Sequence, residues 1–308
     1  LLCIWYASPW RPRLTFPRAV IRRLLGVGLA FQLPPLVAAL TVGWIPLVVG
    51  RVLGQDAVGL VNWAWALAST PMMISAILNR VAFPAYCRLQ DDPAGFADYL
   101  RSSLRRLSAT LCLLIPLAVL AVPVAVPLLF GERWGAAIPL VQWFSVECIL
   151  ITLIGLLATA QNAGERPWER LAVTICVGAS KWALGTWLIH RFGLVGVGPL
   201  GIIVGLGELW VTAWLVSRLN PALRGLVREV VEPFVTVGLL LLGASVGASY
   251  LVREGLWLQA LLGAALFCGL FLLRERLPGP RPLVAELRTI AGLVRARLTR
   301  AAPRESSP

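Results

Sequence analysis

The chain has 308 residues, 58% of them hydrophobic and only 14% charged, with a formal net charge of +13. Soluble domains carry about 45–50% apolar and about 25% charged residues, so a mean hydropathy of +0.79 excludes an ordinary soluble enzyme. It equally excludes disorder, which needs low hydrophobicity.

Leu1–Ala7 is apolar, too short to span a bilayer, and has no basic region before it as a signal peptide would. It reads as the end of a helix that begins upstream, which would make this chain the C-terminal part of a longer one. Eight apolar runs follow: about Leu24–Val49, Ala57–Val81, Leu107–Phe130, Ala136–Ala160, Leu171–Ile189, Leu194–Val216, Val231–Val252 and Leu256–Leu273. At about 1.5 Å per helical residue, runs of about 20 cross a hydrocarbon core of about 30 Å. The fold class expected is therefore all-α: a polytopic membrane protein with about eight transmembrane helices.

The connections divide the arginines unevenly. The segment before the first run, every second connection and the tail hold 23; the alternate connections hold Arg51, Arg133, Arg191 and Arg253. By the positive-inside rule both ends of the chain lie in the cytoplasm, with a multi-pass protein in the cytoplasmic (inner) membrane. The excess charge is thus an orientation signal, and no nucleic-acid partner is expected. The outer connections are only a few residues long and leave no room for a catalytic domain. This argues against an enzyme such as a membrane glycosyltransferase, polymerase or ligase.

Two cytoplasmic pieces have helical periodicity. Leu283, Leu287, Ile290, Val294 and Leu298 make one face of a basic helix suited to anionic membrane lipids. Phe96, Leu100, Leu104 and Leu107, interleaved with Arg101, Arg105 and Arg106, form a similar ramp into the third run. Asp91 and Asp92 precede Pro93 in what reads as a solvated turn. The six cysteines show no CxxC and no ligand-like spacing with the lone His190, so no metal, cofactor or disulfide framework is expected.

A charge near the bilayer centre costs at least about 2.5–3.5 kcal/mol. Glu147, Lys181 and Glu208 lie well inside apolar runs. Lys181, the single lysine, either pairs with one of the two carboxylates in a coupling site or belongs to a structural packing pair. Arg51 ends the first run at the outer face. It either snorkels to the interface or lines an aqueous cavity, where its planar fork would suit phosphate. Pro34, Pro35, Pro46, Pro71, Pro116, Pro123 and Pro127 invite kinks in the first three runs.

Several stretches together resemble the oligosaccharide flippases of the multidrug, oligosaccharidyl-lipid and polysaccharide exporter superfamily. They are Gly50-Arg51-Val52-Leu53-Gly54 with Ala57, Gly59 and the run Ala64–Pro71; Asn79-Arg80-Val81-Ala82-Phe83-Pro84 through Asp92; Leu129-Phe130-Gly131-Glu132-Arg133-Trp134; Asn162-Ala163-Gly164-Glu165-Arg166-Pro167; and Phe192-Gly193-Leu194-Val195-Gly196. The resemblance runs from about Trp10 to Leu219. Two positions depart from it: Ile45, where members often have aspartate, and Leu60, where a tyrosine follows the glycine.

The resemblance implies a transporter that moves a polyprenyl-diphosphate-linked oligosaccharide outward for polysaccharide, lipopolysaccharide or O-antigen biosynthesis. It implies two six-helix lobes around a cavity. Residues 1–23 would then be a helix end and linker, 24–217 a six-helix C-terminal lobe, 218–274 two additional helices, and 275–308 a basic tail with the amphipathic helix. The partners would be the lipid-linked oligosaccharide, an N-terminal lobe missing from this chain, and polysaccharide polymerase or assembly proteins. Arg51 would line the passage, with Asn62, Asn79 and Gln32 either bonding sugars or joining helices. A multidrug-type exporter and a non-transporting scaffold of polysaccharide assembly are the alternatives.

Overall fold

A computed structural model describes residues 17–70, 72–163, 167–251 and 256–276. No strand occurs among them. The helices are α1 (Arg18–Val42), α2 (Gln55–Ala68), α3 (Met72–Arg88), α4 (Pro93–Phe130), α5 (Ile138–Ala163), α6 (Pro167–Phe192), α7 (Val197–Leu219), α8 (Leu226–Leu251) and α9 (Leu256–Arg276). Four helical stretches among the described residues are long and apolar enough to cross a membrane: Gln32–Leu53, Pro93–Phe130, Glu132–Ala163 and Trp168–Arg218, with Leu258–Phe271 a shorter apolar helix. The protein is therefore an all-helical, multi-pass membrane protein. The basic amphipathic segment 283–298 lies outside the described residues.

The elements differ from the sequence expectation at three places. The first run is interrupted: α1 ends at Val42, a π-helical turn occupies Ile45–Val49, and a single turn Gly50–Leu53 follows. Pro46 sits at the start of the π turn, where its missing N–H costs least. The second run is broken in two. α2 stops at Ala68, and the hydroxyls of Ser69 and Thr70 both donate back to the Ala66 carbonyl. The ramp and the third run, by contrast, fuse into one 38-residue helix, capped by the Asp92 carboxylate accepting from the Gly95 N–H at 3.0 Å. Asp92 is thus a helix cap rather than a free turn residue. Phe96, Leu100, Leu104 and Leu107 are all buried against neighbouring helices, so this ramp does not lie on a lipid surface.

α5 is the hub. It packs against α2, α3, α4 and α7, with α6 making a smaller contact, and 72% of its apolar window is buried. A helix apolar on every side is what such a central position requires. α1 is its opposite: among the described residues its main packing is on α6, and the apolar window of its stretch is 11% buried. α8 and α9 pair with each other and with α4, closing on Phe267 and Phe271.

Exposed tryptophans mark two levels about one bilayer apart. Trp168 near the start of α6, with Trp210 and Trp214 near the end of α7, lies at the end that also carries Arg88, Arg218 and Arg228, the basic face. Trp187 and Phe192 lie at the other end of α6. The 19-residue step from Trp168 to Trp187 spans about 28 Å along the helix axis, the thickness expected between two interfacial aromatic belts.

Candidate functional site

Three helices meet around the intramembrane charges. On α7, Gly198, Gly201 and Gly205 repeat every three or four residues. They receive Trp143, Glu147 and Leu150 of α5, which repeat the same way. The missing Cβ atoms let the two backbones approach, as small residues do in membrane helix pairs. At Gly201 the notch is filled by the Glu147 carboxylate itself, which sits where a side chain would otherwise begin.

Held there, Glu147 accepts a hydrogen bond from the Lys181 Nζ of α6 at 3.0 Å. The Glu147 side chain is 5% exposed and that of Lys181 28%. Taking a carboxylate so far out of water is less costly with a cation at hydrogen-bond distance, and Lys181 stands there. α6 reaches past the pair to α1 by the same device. Gly178 and Gly185 flank Lys181 on its helix face and accept Thr41 and the Trp44 indole. Lys181 is therefore bracketed by the contact between α1 and α6.

Glu208 takes a different partner. Its carboxylate accepts from the Arg170 Nη2 at 3.0 Å, with side chains 14% and 18% exposed. The geometry thus gives Lys181 the Glu147 carboxylate as its partner, and gives Glu208 an arginine that the sequence had counted only among the orienting charges. Arg170 lies on the first turn of α6 near the basic face. The sequence reading missed the glycine spacing of α7, a signal that could have located this seam beside the three charges.

The residues expected around the passage lie elsewhere. Arg51 stands on the single turn Gly50–Leu53, exposed, with Gly54 at φ 88° behind it allowing the chain to reverse into α2. Asn62 on α2 and Gln32 on α1 are exposed as well, and none of the three bonds another side chain among the described residues. Asn79 lies on α3, with its side chain outside the described residues. The structure therefore gathers the buried charges into one seam and leaves Arg51, Asn62 and Gln32 on open faces.

At the end opposite the basic face, Trp63 stacks on Trp134 at 4.2 Å and takes the edge of Phe130 at 5.2 Å, with Arg133 over the Trp134 ring. No group of three or more potential metal-ligating residues occurs among the described residues.

Comparison with known proteins finds similarity to proteins of polysaccharide biosynthesis. Residues 1–139 match the family described as polysaccharide biosynthesis protein. The teichuronic acid biosynthesis protein TuaB of Bacillus subtilis (strain 168) is 25% identical over 89% of this chain and 58% of its own length. The lipopolysaccharide biosynthesis protein WzxC of Escherichia coli (strain K12) is 31% identical over 50% of the chain and 30% of its own length. The amylovoran biosynthesis protein AmsL of Erwinia amylovora is 25% identical over 58% of the chain and 48% of its own length. The chain thus spans about half the length of these relatives or less, and no solved structure matches it. The chain is a multi-pass helical bundle similar, over part of its length, to proteins of polysaccharide biosynthesis.

Proposed function

We propose that the chain is the second lobe, with two additional helices, of a flippase that moves a polyprenyl-diphosphate-linked oligosaccharide from the cytoplasmic to the outer leaflet. The observation that carries this reading is the Lys181–Glu147 pair, its carboxylate buried among three helices and its lysine half-buried. Ion pairs kept inside a membrane bundle mark polar pathways and coupling sites. Relatives named for teichuronic acid, lipopolysaccharide and amylovoran biosynthesis give that polar cargo its class.

In this reading the basic face is cytoplasmic, and so are both ends of the chain, in the inner membrane. Arg51 then stands on the outer side, exposed and without a carboxylate partner, and binds the diphosphate through its two-pronged fork. Asn62 and Gln32, on open faces, bond sugar hydroxyls, and Asn79 joins them. The polyprenyl tail stays in lipid. Six helices, α2 and α3 counting as one broken span, form the lobe within residues 24–217, and α8 and α9 are the extra pair within 218–274. The bare side of α1 meets the lobe that lies outside this chain, and rocking of the two lobes gives alternating access. The basic tail holds anionic lipids, and polymerase or assembly proteins receive the product. The chain performs no bond chemistry.

The test is export by the complete protein in cells lacking it, read as surface polysaccharide with cytoplasmic synthesis intact. Arg51→Ala is expected to lower export while leaving the protein in the membrane; wild-type export would remove Arg51 from the site. Lys181→Glu and Glu147→Lys are each expected to abolish export, and together to restore part of it. Failure of the double reversal, with the protein folded, would sink the coupling role of the pair.

A further inference from the structure

At the end opposite the basic face, α4 and α5 part around an open groove of about 630 Å³. Pro123, Pro127 and Leu128 of α4 line one side, Ile138 and Pro139 of α5 the other, and Glu132 of the turn between them stands at the outer end. The volume falls within the range of small-molecule sites, about 300–1,000 Å³. The groove has no part in the transport proposed above.

Its lining is apolar for a backbone reason. Proline has no N–H, so Pro123, Pro127 and Pro139 offer the groove no main-chain donor. Pro123 leaves the Val119 carbonyl without its helical partner, and the Gln142 Nε2 of α5 donates to that carbonyl at 3.1 Å. Pro139 is the second residue of α5, where a missing N–H costs no helix bond.

From Phe130 back to Pro123 is seven residues, about 10 Å along the helix. Phe130 belongs to the aromatic cluster with Trp63 and Trp134, and such rings sit at the membrane interface. The groove therefore runs from headgroup level into one half of the hydrocarbon core, about 15 Å deep. A hydrocarbon chain suits both that depth and that lining.

Charge selects the headgroup. Glu132 is exposed and engages no ion pair among the described residues. Arg133 beside it lies over the Trp134 ring, 5.3 Å from the centroid. A free carboxylate here repels the diphosphate of a polyprenyl carrier and the phosphate of an anionic lipid. It attracts an ammonium, whose N–H groups give it charge-assisted hydrogen bonds.

We propose that the groove between α4 and α5 binds one phospholipid of the ethanolamine type, its acyl chain against the three prolines and its ammonium on Glu132. The site lies in the leaflet opposite the basic face. Calling that leaflet the outer one rests on the transport reading; the lipid chemistry does not.

The complete protein, purified and equilibrated in micelles with equal phosphatidylethanolamine and phosphatidylglycerol, tests the headgroup by native mass spectrometry. The wild type is expected to retain one phosphatidylethanolamine with a preference of about tenfold, the ratio one charged hydrogen bond supplies. Glu132→Gln is expected to bring the two lipids to equal retention. No preference in the wild type, or one that survives Glu132→Gln, overturns the headgroup assignment.

Gly135 also lines the groove, and a Cβ there meets nothing within 4 Å. Gly135→Leu is therefore expected to fill the space and lower retention of both lipids. Gly243→Leu, equally open on α8, should leave retention unchanged. Retention unaltered by Gly135→Leu overturns the groove as the site. Should Gly135→Leu not fold, Leu128→Trp, at a lining position 66% exposed, narrows the same groove. Preferred retention of a polyprenyl phosphate, or a dimer dispersed by Gly135→Leu, overturns the proposal in favour of the carrier or of a second copy. None of these measurements reads export, so the lipid site and the transport reading can each fail alone.

Discussion

α5 and α1 are both apolar helices of about 25 residues, and they differ almost completely in what surrounds them. The apolar window of α5 is 72% buried and that of the α1 stretch 11%. Leu24, Leu36 and Leu40 of α1 are more than half exposed, whereas Leu150, Leu153 and Leu157 of α5 are sealed. In lipid, bare leucine costs nothing, because the hydrocarbon is as apolar as the side chain. Apolarity therefore does not say which membrane helix is central. Small residues and polar groups do: α5 meets the three-glycine stripe of α7 and holds one of the intramembrane carboxylates, while α1 meets one glycine notch of α6, at Gly178, and Trp44 just beyond it fills a second, at Gly185.

The sharpest way to break this contrast is to cut the charge pair. Glu147→Ala leaves the Lys181 ammonium without its carboxylate between three helices, and removing one partner of a buried pair costs about 3–5 kcal/mol. Leu40→Ala on the 65% exposed flank of α1 removes more carbon but no packing. Thermal unfolding of the complete protein in detergent should fall strongly for the first variant and stay unchanged for the second. Equal losses would mean that α5 is not the hub.

A second, smaller effect separates two glycines of one helix. A methyl group on Gly201 falls on the Glu147 carboxylate, whereas one on Gly207 meets nothing within 4 Å. Gly201→Ala should cost about 1–3 kcal/mol through overpacking and lengthen the Lys181–Glu147 contact. Gly207→Ala should leave unfolding unchanged or improve it slightly, since alanine is the better helix former. A neutral Gly201→Ala would show that the α5–α7 approach is not set by this notch.

What the sequence disclosed follows the same division. Apolar runs about one bilayer long gave the all-helical membrane class, and the charges inside them picked out Glu147, Lys181 and Glu208 without any structure. The partner of Glu208 was not legible, because Arg170 looks like an orienting charge until the tilt and register of α6 bring it to α7. Breaks within runs were only half legible. Prolines warned of kinks, but the stop of α2 at Ala68 and the π turn at Ile45–Val49 depend on which carbonyls find partners in three dimensions. The burial of Gln161 gave no signal either, since one amide at the end of an apolar run looks like an interfacial residue. Its burial follows from the packing of α3 and α7 around the end of α5.

The smallest predicted effects lie at the rim, where α8 carries two ion pairs one residue apart in sequence. Arg101 reaches Glu229 at 3.2 Å and also donates to the Arg224 carbonyl, with its side chain 24% exposed. Arg228 meets Glu232 at 3.2 Å one turn along the same helix, with its side chain 85% exposed. The first pair ties α4 to the start of α8; the second joins α8 only to itself. Exposed pairs at this spacing contribute about 0.3–0.5 kcal/mol and are screened by salt. Arg228→Ala should therefore move the unfolding midpoint hardly at all, and not at all in high salt. Arg101→Ala should cost about 1 kcal/mol, because a cross-helix contact and a carbonyl partner go together. If the two variants proved equal, burial and cross-helix contact would not rank the charges of this bundle, and the weight assigned to the interior seam would lose its support.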